Sequence, residues 1–108
     1  MGKALLRDNL DLILLAILEG DAKYGLQIIA EAGSRTDGYF DFKEGSLYPA
    51  LHRLEKAGLV EAEFAPSTMG GPRRRYYQLT ETGVSQLAIR REGWETFTSA
   101  VQALWGTK

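Results

Sequence analysis

Cysteine is absent from this chain, and histidine occurs only once, as His52. The first absence excludes disulfide bonds, thiolate nucleophiles and cysteine-ligated zinc or iron–sulfur centres. A single histidine excludes any site within one chain that is built on several imidazoles. The 13 basic and 14 acidic side chains nearly cancel, to a net charge of -1, so the overall charge indicates no partner.

Long hydrophobic runs are absent as well. The longest extends from Leu12 to Leu18 and is far too short to cross a bilayer. The first residues lack the small-residue cleavage site of a secretory signal, and Leu6 stands where a myristoylation motif needs Ser or Thr. We therefore expect a cytoplasmic protein that has no membrane partner.

Catalytic motifs are missing too. The 108 residues suffice for one ordinary domain, with 44% hydrophobic and 25% charged residues, the balance of a globular protein. They contain no nucleophile–base–acid set, no phosphate-binding glycine loop and no cluster of metal ligands. The sequence therefore predicts a protein that is not an enzyme and carries neither cofactor nor metal.

The charges that are present are unevenly distributed. Residues 43–77 hold six basic and four acidic side chains, whereas residues 1–42 hold four basic and seven acidic ones. Arg73, Arg74 and Arg75 are adjacent, and residues 66–77 contain no acid. Such a run is either a solvated loop or, if its cations share a face with others, a surface that binds a polyanion.

The first third of the chain predicts two helices. Asp8 resembles an N-cap for a helix through Leu18, and Gly20 can adopt the left-handed conformation that ends it. Asp21 is then placed to cap a second helix over about residues 22–32. Gly25, in the first turn of that helix, indicates close packing against a neighbouring element.

A third helix is expected from about Glu44 to Ala57, with Gly58 at its C-terminal cap. Pro49 removes a backbone donor, so it should distort the first turns. Leucines at spacings of four and three form the buried stripe, at positions 47, 51 and 54. The opposite face presents a set of polar and basic side chains: Ser46, Tyr48, His52, Arg53 and Lys56.

After Gly58 the period changes to two, which predicts a strand over residues 59–64 and a return strand over residues 74–79. The turn between them is basic. Because side chains alternate along a strand, the three arginines cannot all face one way, and one of them should form an intramolecular salt bridge. Tyr76 and Tyr77 must likewise divide between the core and the surface. Thr80 is a plausible N-cap for a last helix over about residues 81–104.

Three helices followed by a hairpin is the order of a winged helix-turn-helix. In that architecture the third helix enters the DNA major groove, and the hairpin, or wing, contacts the backbone. We therefore predict a mainly α fold with a small β-hairpin. Residues 1–79 would form the winged helix-turn-helix domain, and residues 80–108 a long C-terminal dimerisation helix within the same compact unit.

The sequence also resembles the PadR-like family of bacterial transcriptional regulators over nearly its whole length. The resemblance rests on three blocks, Tyr24-Gly25-Leu26-Gln27-Ile28, residues 45–59 around Leu47-Tyr48-Pro49, and residues 71–83 from Gly71-Pro72-Arg73 to Glu81-Thr82-Gly83. It implies a homodimeric repressor of the short type, bound to a pseudo-palindromic operator in double-stranded DNA. Repression, as opposed to activation, rests on this resemblance alone.

The predicted DNA contacts lie on the third helix and the wing. Ser46 is equally suited to cap a helical turn, Tyr48 could instead fold onto the hairpin, and Arg53 could pair with Glu44 or Glu55. His52 lies one turn beyond Tyr48 on the same face. The candidate DNA-binding residues are Ser46, Tyr48, Pro49, His52, Arg53, Arg73, Arg74 and Arg75.

The last helix carries an apolar stripe that predicts a partner chain. Its members Trp94, Phe97, Val101 and Leu104 continue from Val84 and Leu87 in a nearly heptad rhythm. Trp94 also stands where drug-responsive short PadR-like proteins place a tryptophan that stacks on planar ligands, so the resemblance implies a planar aromatic effector there. The alternative is that Trp94 only packs the dimer.

A winged-helix adaptor that binds proteins and no DNA is the competing function. It fits the acidic first third of the chain. It predicts an apolar or acidic face on the third helix, in contrast to His52, Arg53 and Lys56.

Overall fold

Helices and short strands alternate through the part of the chain that a computed structural model describes, residues 3–67 and 70–106. In chain order the elements are α1 (Lys3–Asp8), α2 (Leu10–Ile17), β1 (Lys23–Tyr24), α3 (Gly25–Arg35), α4 (Glu44–Lys56), β2 (Val60–Ala65), β3 (Arg74–Leu79) and α5 (Glu81–Trp105). Outside the described residues lie the outer ends of the two predicted domains, at residues 1–2 and 107–108. Residues 68 and 69 of the predicted turn lie outside them as well. None of the described helices is long and apolar enough to span a membrane.

The strands form one antiparallel sheet in the order β1-β3-β2. Val60 pairs with Leu79 and Ala65 with Arg74, so β2 and β3 make the predicted hairpin. On the other side of β3, Tyr24 pairs with Tyr76. The predicted fold class, mainly α with a small hairpin and a long last helix, is confirmed, and the sheet has a third strand that the sequence did not reveal.

Two predicted boundaries near the N-terminus are wrong. Asp8 closes α1 and caps nothing, because α2 begins one residue after Asn9. Asp21 starts no helix, because Lys23 and Tyr24 are held in extended conformation by their pairing with β3. The Lys23 ammonium donates to the carbonyl of Ile17 at 3.0 Å, which satisfies the end of α2.

The later boundaries agree with prediction. α4 spans residues 44–56 and continues through Pro49. Gly58 has φ +80°, the left-handed conformation of a helix end. The hydroxyl of Thr80 accepts a hydrogen bond from the amide of Gly83 at 3.0 Å, the predicted N-cap of α5.

Leucines and isoleucines from every layer meet in one core. The largest side chains that are fully or almost fully buried come from α2 and the residue after it, α3, α4, β2 and α5, and they are Leu14, Leu15, Leu18, Ile28, Leu47, Leu51, Leu54, Val60 and Leu87. Leu87 corrects the predicted stripe on the last helix, since it fills the core of its own chain and needs no partner. The first turns of α5 therefore belong to the winged helix itself.

α5 then leaves this core. Its 25 residues correspond to a length of about 37 Å at the rise of an α-helix. The molecule measures 55 × 29 × 21 Å as a result. Beyond Leu87 the side chains on α5 are mostly exposed.

Gly83 sets how closely α5 approaches the hairpin. A Cβ atom at this position would overlap the carbonyl oxygen of Leu59, a backbone atom that cannot turn aside. We therefore expect Gly83→Ala to lower the free energy of unfolding by about 1–3 kcal/mol, as overpacking does. Urea unfolding followed by circular dichroism measures this change.

Gly45→Ala in α4 is the matched control. Nothing lies within 4 Å of its would-be Cβ, so alanine should leave stability unchanged or raise it by up to about 1 kcal/mol. Equal midpoints for Gly83→Ala and the parent would contradict the close contact.

Candidate nucleic-acid interface

The outward face of α4 is fixed by its buried face. Leu47, Ala50, Leu51 and Leu54 point into the core. At 100° per residue, the opposite direction falls on Gly45, Pro49, His52 and Lys56, and all four are exposed. Pro49 and His52 are predicted DNA contacts, Lys56 suits the helix dipole as readily as DNA, and Gly45 offers no side chain that could have signalled a role.

The other predicted residues of α4 lie on the two flanks of this face. Ser46 and Arg53 lie on one flank, and Tyr48 lies on the other. Arg53 pairs with Asp11 of α2, Nη2 to Oδ1 at 2.7 Å. The open alternatives for Arg53, Glu44 and Glu55, are therefore both wrong as partners.

Tyr48 packs against the start of α3. A Cβ on Gly25 would collide with the phenol of Tyr48, so the close packing predicted for Gly25 is with this ring. Tyr48 thus folds back on α3, yet it keeps 39% of its surface exposed. Burial, with the nearby Glu44, raises the pKa of Tyr48 even though Arg74 acts in the opposite direction. The phenol is therefore a neutral hydrogen-bond donor at physiological pH.

The three arginines of the wing have three different surroundings. Arg73 is exposed and donates to the carbonyl of Phe64 at 3.1 Å. Arg74 lies over the ring of Tyr24 at 5.1 Å, and its buried Nε has no hydrogen-bond partner among the described residues. Arg75 points to the opposite side of the strand from Arg74, as the alternation requires.

Arg75 forms the intramolecular salt bridge that the sequence predicts for one of the three wing arginines. Its Nη2 contacts both carboxylate oxygens of Glu55, at 3.1 and 2.8 Å. Its Nε donates to the hydroxyl of Tyr77 at 3.3 Å. These two partners, Tyr77 first, raise the pKa of Arg75 above its ordinary value. The pair joins β3 to α4 and so holds the wing beside this helix.

The two adjacent tyrosines of β3 divide as predicted. Tyr77 is buried, and Tyr76 is half-buried against Tyr24. The rings of Tyr76 and Tyr24 meet edge to face at 5.3 Å. Tyr24 is a residue that sequence reasoning left out of the site. Its position there depends on β1, for which two residues give no periodic signal.

The predicted stripe on α5 lies far from this surface. Phe97 and Leu104 are 63% and 85% exposed, and Val101 is half-buried. Trp94, 38% exposed, is one of the residues that line an apolar groove of about 430 Å³. Most of its lining comes from α1, α2 and the segment after α3, and includes Leu5, Leu12, Ile13, Ala16, Tyr39 and Phe40.

Residues 14–89 match the family described as "Transcriptional regulator PadR-like family". The chain belongs to this family. Its members are transcriptional regulators, so the prediction that the chain is not an enzyme is confirmed.

Solved structures and a sequence relative agree with this assignment. The crystal structure of a PadR-like transcriptional regulator from Bacillus cereus has a TM-score of 0.85 and 27% identity, and the match covers 98% of this chain and 100% of that one. An uncharacterized protein of Lysinibacillus sphaericus is 34% identical over 90 residues, 83% of this chain and 82% of the relative. Bacillus subtilis PadR, solved in complex with operator DNA, has a TM-score of 0.64 and 20% identity over 73% of this chain and 44% of its own, a likeness of fold.

Proposed function

We propose that this PadR-like regulator binds a pseudo-palindromic operator in double-stranded DNA as a cytoplasmic homodimer and represses transcription. The observation that carries the proposal is the open face of α4 beside the wing. Pro49, His52 and Lys56 project from it, and Arg73 and Arg74 directly precede Arg75, which joins the wing to α4 through Glu55. No carboxylate among the described residues pairs with Lys56, Arg73 or Arg74.

Each part of this surface suits a different part of DNA. A helix of this size fits the major groove, where His52 can donate to or accept from a base edge. Gly45 and Pro49 add little side-chain bulk to this face, so the backbone of α4 can approach the bases closely. Lys56, Arg73 and Arg74 pair with no carboxylate among the described residues, so they can neutralise phosphates.

The remaining candidates have roles at the edges of the face. Ser46, exposed near the start of α4, can reach a base edge or a phosphate. The neutral hydroxyl of Tyr48 suits a phosphate oxygen. Arg53 and Arg75 are engaged with carboxylates, so each must exchange its partner before it can contact DNA.

The double variant Arg73→Ala/Arg74→Ala tests the wing. We expect weaker binding to all duplexes and a salt slope flatter by up to about one unit for each phosphate that is no longer neutralised. His52→Ala should instead reduce the ratio of operator to non-operator affinity, because a base contact carries the sequence information. Titration of labelled duplex from the region upstream of the coding sequence, at two salt concentrations, measures both.

Arg7→Ala is the control for charge alone. The Arg7 side chain is on α1, is 73% exposed and pairs with Asp8 at 3.6 Å, so its removal should leave the salt slope unchanged. Parent-like binding by the double wing variant at physiological salt would show that the wing does not contact DNA.

The dimer is inferred from two apolar surfaces of the same chain. The distal half of α5 projects Phe97 and Leu104 into solvent, with Val101 half-buried between them, and monomers generally avoid such an apolar patch. The groove beside α1 and α2 is apolar and open to solvent. In a two-fold dimer the distal half of the partner's α5 can fill it, and the two recognition helices would then lie about 34 Å apart on the DNA.

Phe97→Glu/Leu104→Glu tests this interface. We expect the parent to have twice the chain mass of 12.0 kDa in light scattering and the variant to have the mass of one chain. Ser99→Glu/Gln102→Glu adds the same two charges on the opposite, exposed face of α5 and should remain a dimer. A parent mass of one chain at micromolar concentration would contradict the dimer.

The effector proposal rests on Trp94. Its indole is partly exposed and lines an apolar groove, where a planar aromatic molecule could stack on it. A ligand at this position would lie between α1 and α5 and would change how the two chains pack. Release of the operator would follow from that change of spacing.

Fluorescence of Trp105→Phe protein isolates Trp94 as the single tryptophan. Planar dyes and phenolic acids should quench it saturably, and the same compounds should shift operator affinity. Trp94→Ala protein, with Trp105 intact, should show neither response. Quenching without a shift in DNA affinity would contradict the effector role and leave only a hydrophobic slot.

A further inference from the structure

Asp11 lies where three helices meet. Its Oδ1 accepts from Arg53 of α4 at 2.7 Å, and its Oδ2 is 3.8 Å from Nη1 of Arg90 on α5. Asp11 itself lies in the first turn of α2. One carboxylate is thus shared between the recognition helix and the long C-terminal helix.

A second ion pair joins α2 to α5 without touching α4. Glu19, just beyond α2, pairs with Arg91 at 2.7 Å. Arg90 and Arg91 are neighbours of equal charge on the same helix. They differ in the carboxylate they contact, and only the Asp11 pair leads on to the recognition helix.

We propose that Asp11 is a positioning residue that withholds Arg53 from DNA, and that α5 sets the strength of this hold through Arg90. The inference rests on the proposed function, because it concerns a cation at the edge of the DNA-binding face. A phosphate must displace the carboxylate before it can take Arg53. The side chains of Arg53 and Asp11 are 59% and 30% exposed, so replacing the carboxylate by a phosphate costs little free energy. Asp11 therefore changes DNA affinity by a small factor and does not switch binding on or off.

Arg90 affects Arg53 because the two guanidinium groups compete for one carboxylate. While Arg90 is paired with Oδ2 of Asp11, Arg53 contacts only Oδ1. If α5 moves and takes Arg90 away, both oxygens are open to Arg53, which is then held by a forked pair of the stronger kind. A displacement of α5 would in this way reduce the number of cations offered to DNA.

The first test is a double-mutant cycle on operator affinity. We expect Asp11→Asn to tighten binding about two- to fivefold, the range set by an exposed pair, and to lose this effect in the Arg53→Gln background. Glu19→Gln is the matched control, since it removes the same charge from an α2–α5 pair that does not reach α4. It should change affinity much less than Asp11→Asn.

The second test concerns the link to α5. Arg90→Gln should weaken operator binding about twofold, through the firmer hold of Asp11 on Arg53, and should have no effect in the Asp11→Asn background. Arg91→Gln removes an equal charge from the neighbouring residue and is expected to change affinity less. Thermal unfolding of each variant confirms that the fold is retained.

Several outcomes overturn the inference while the proposed function stands. The first is that the parent binds its operator and Asp11→Asn binds it with equal or lower affinity. The second is that the gain in affinity from Asp11→Asn persists without Arg53 and so reflects repulsion at a distance. The third is that Arg90→Gln and Arg91→Gln lose affinity equally. A parent that binds no duplex DNA contradicts the proposed function and this inference together.

Discussion

The burial of one stripe of leucines on α4 is the constraint on which the DNA-binding surface depends. Leu47 and Leu51 are fully buried and Leu54 nearly so, between α2, α3 and the sheet. Burying three such side chains contributes on the order of 5–9 kcal/mol relative to exposing them, far more than any surface contact of this helix. If α4 rotated about its axis, these leucines would be exposed and the free energy of their burial would be lost. The helix therefore presents one fixed set of side chains to solvent, whatever their own preferences.

Ion pairs then decide which cations on that surface remain available. The middle of the chain holds six basic side chains, but carboxylates of other elements engage Arg53 and Arg75, and Asp41 engages Lys43. The basic surface is consequently smaller and more localised than the count of charges suggests. The pair between Arg75 and Glu55 has two opposite effects on the surface. It neutralises a wing arginine, and it also holds the wing against α4. A wing with all three arginines free would lack the ion pair that orients it.

The sequence predicts those parts of the molecule whose signals are local. The leucine spacing of α4, the alternation of the hairpin and the cap at Thr80 each lie within a few residues, and the structure has each of them where the sequence predicts it. The predictions that are wrong depend on distant partners. β1 is extended only because β3, some fifty residues later, pairs with it, and Arg53 finds Asp11 across a separation of 42 residues. Leu87 belongs by its spacing to the predicted interface stripe, and only the crossing of α5 over α2 shows that it is core.

α5 serves two parts of the molecule at once, and this explains why its two halves differ. The first turns are locked to the body by Leu87 in the core and by Gly83 against the backbone of Leu59, so they move only with the winged helix. The distal turns carry apolar side chains that find no cover in their own chain. A helix transmits displacement along its axis because its hydrogen bonds resist bending within a few turns. Arg90 lies at the junction between the two halves, next to the carboxylate that also holds Arg53. A force applied to the exposed half of α5 therefore reaches the recognition helix through α2, the element that both helices share.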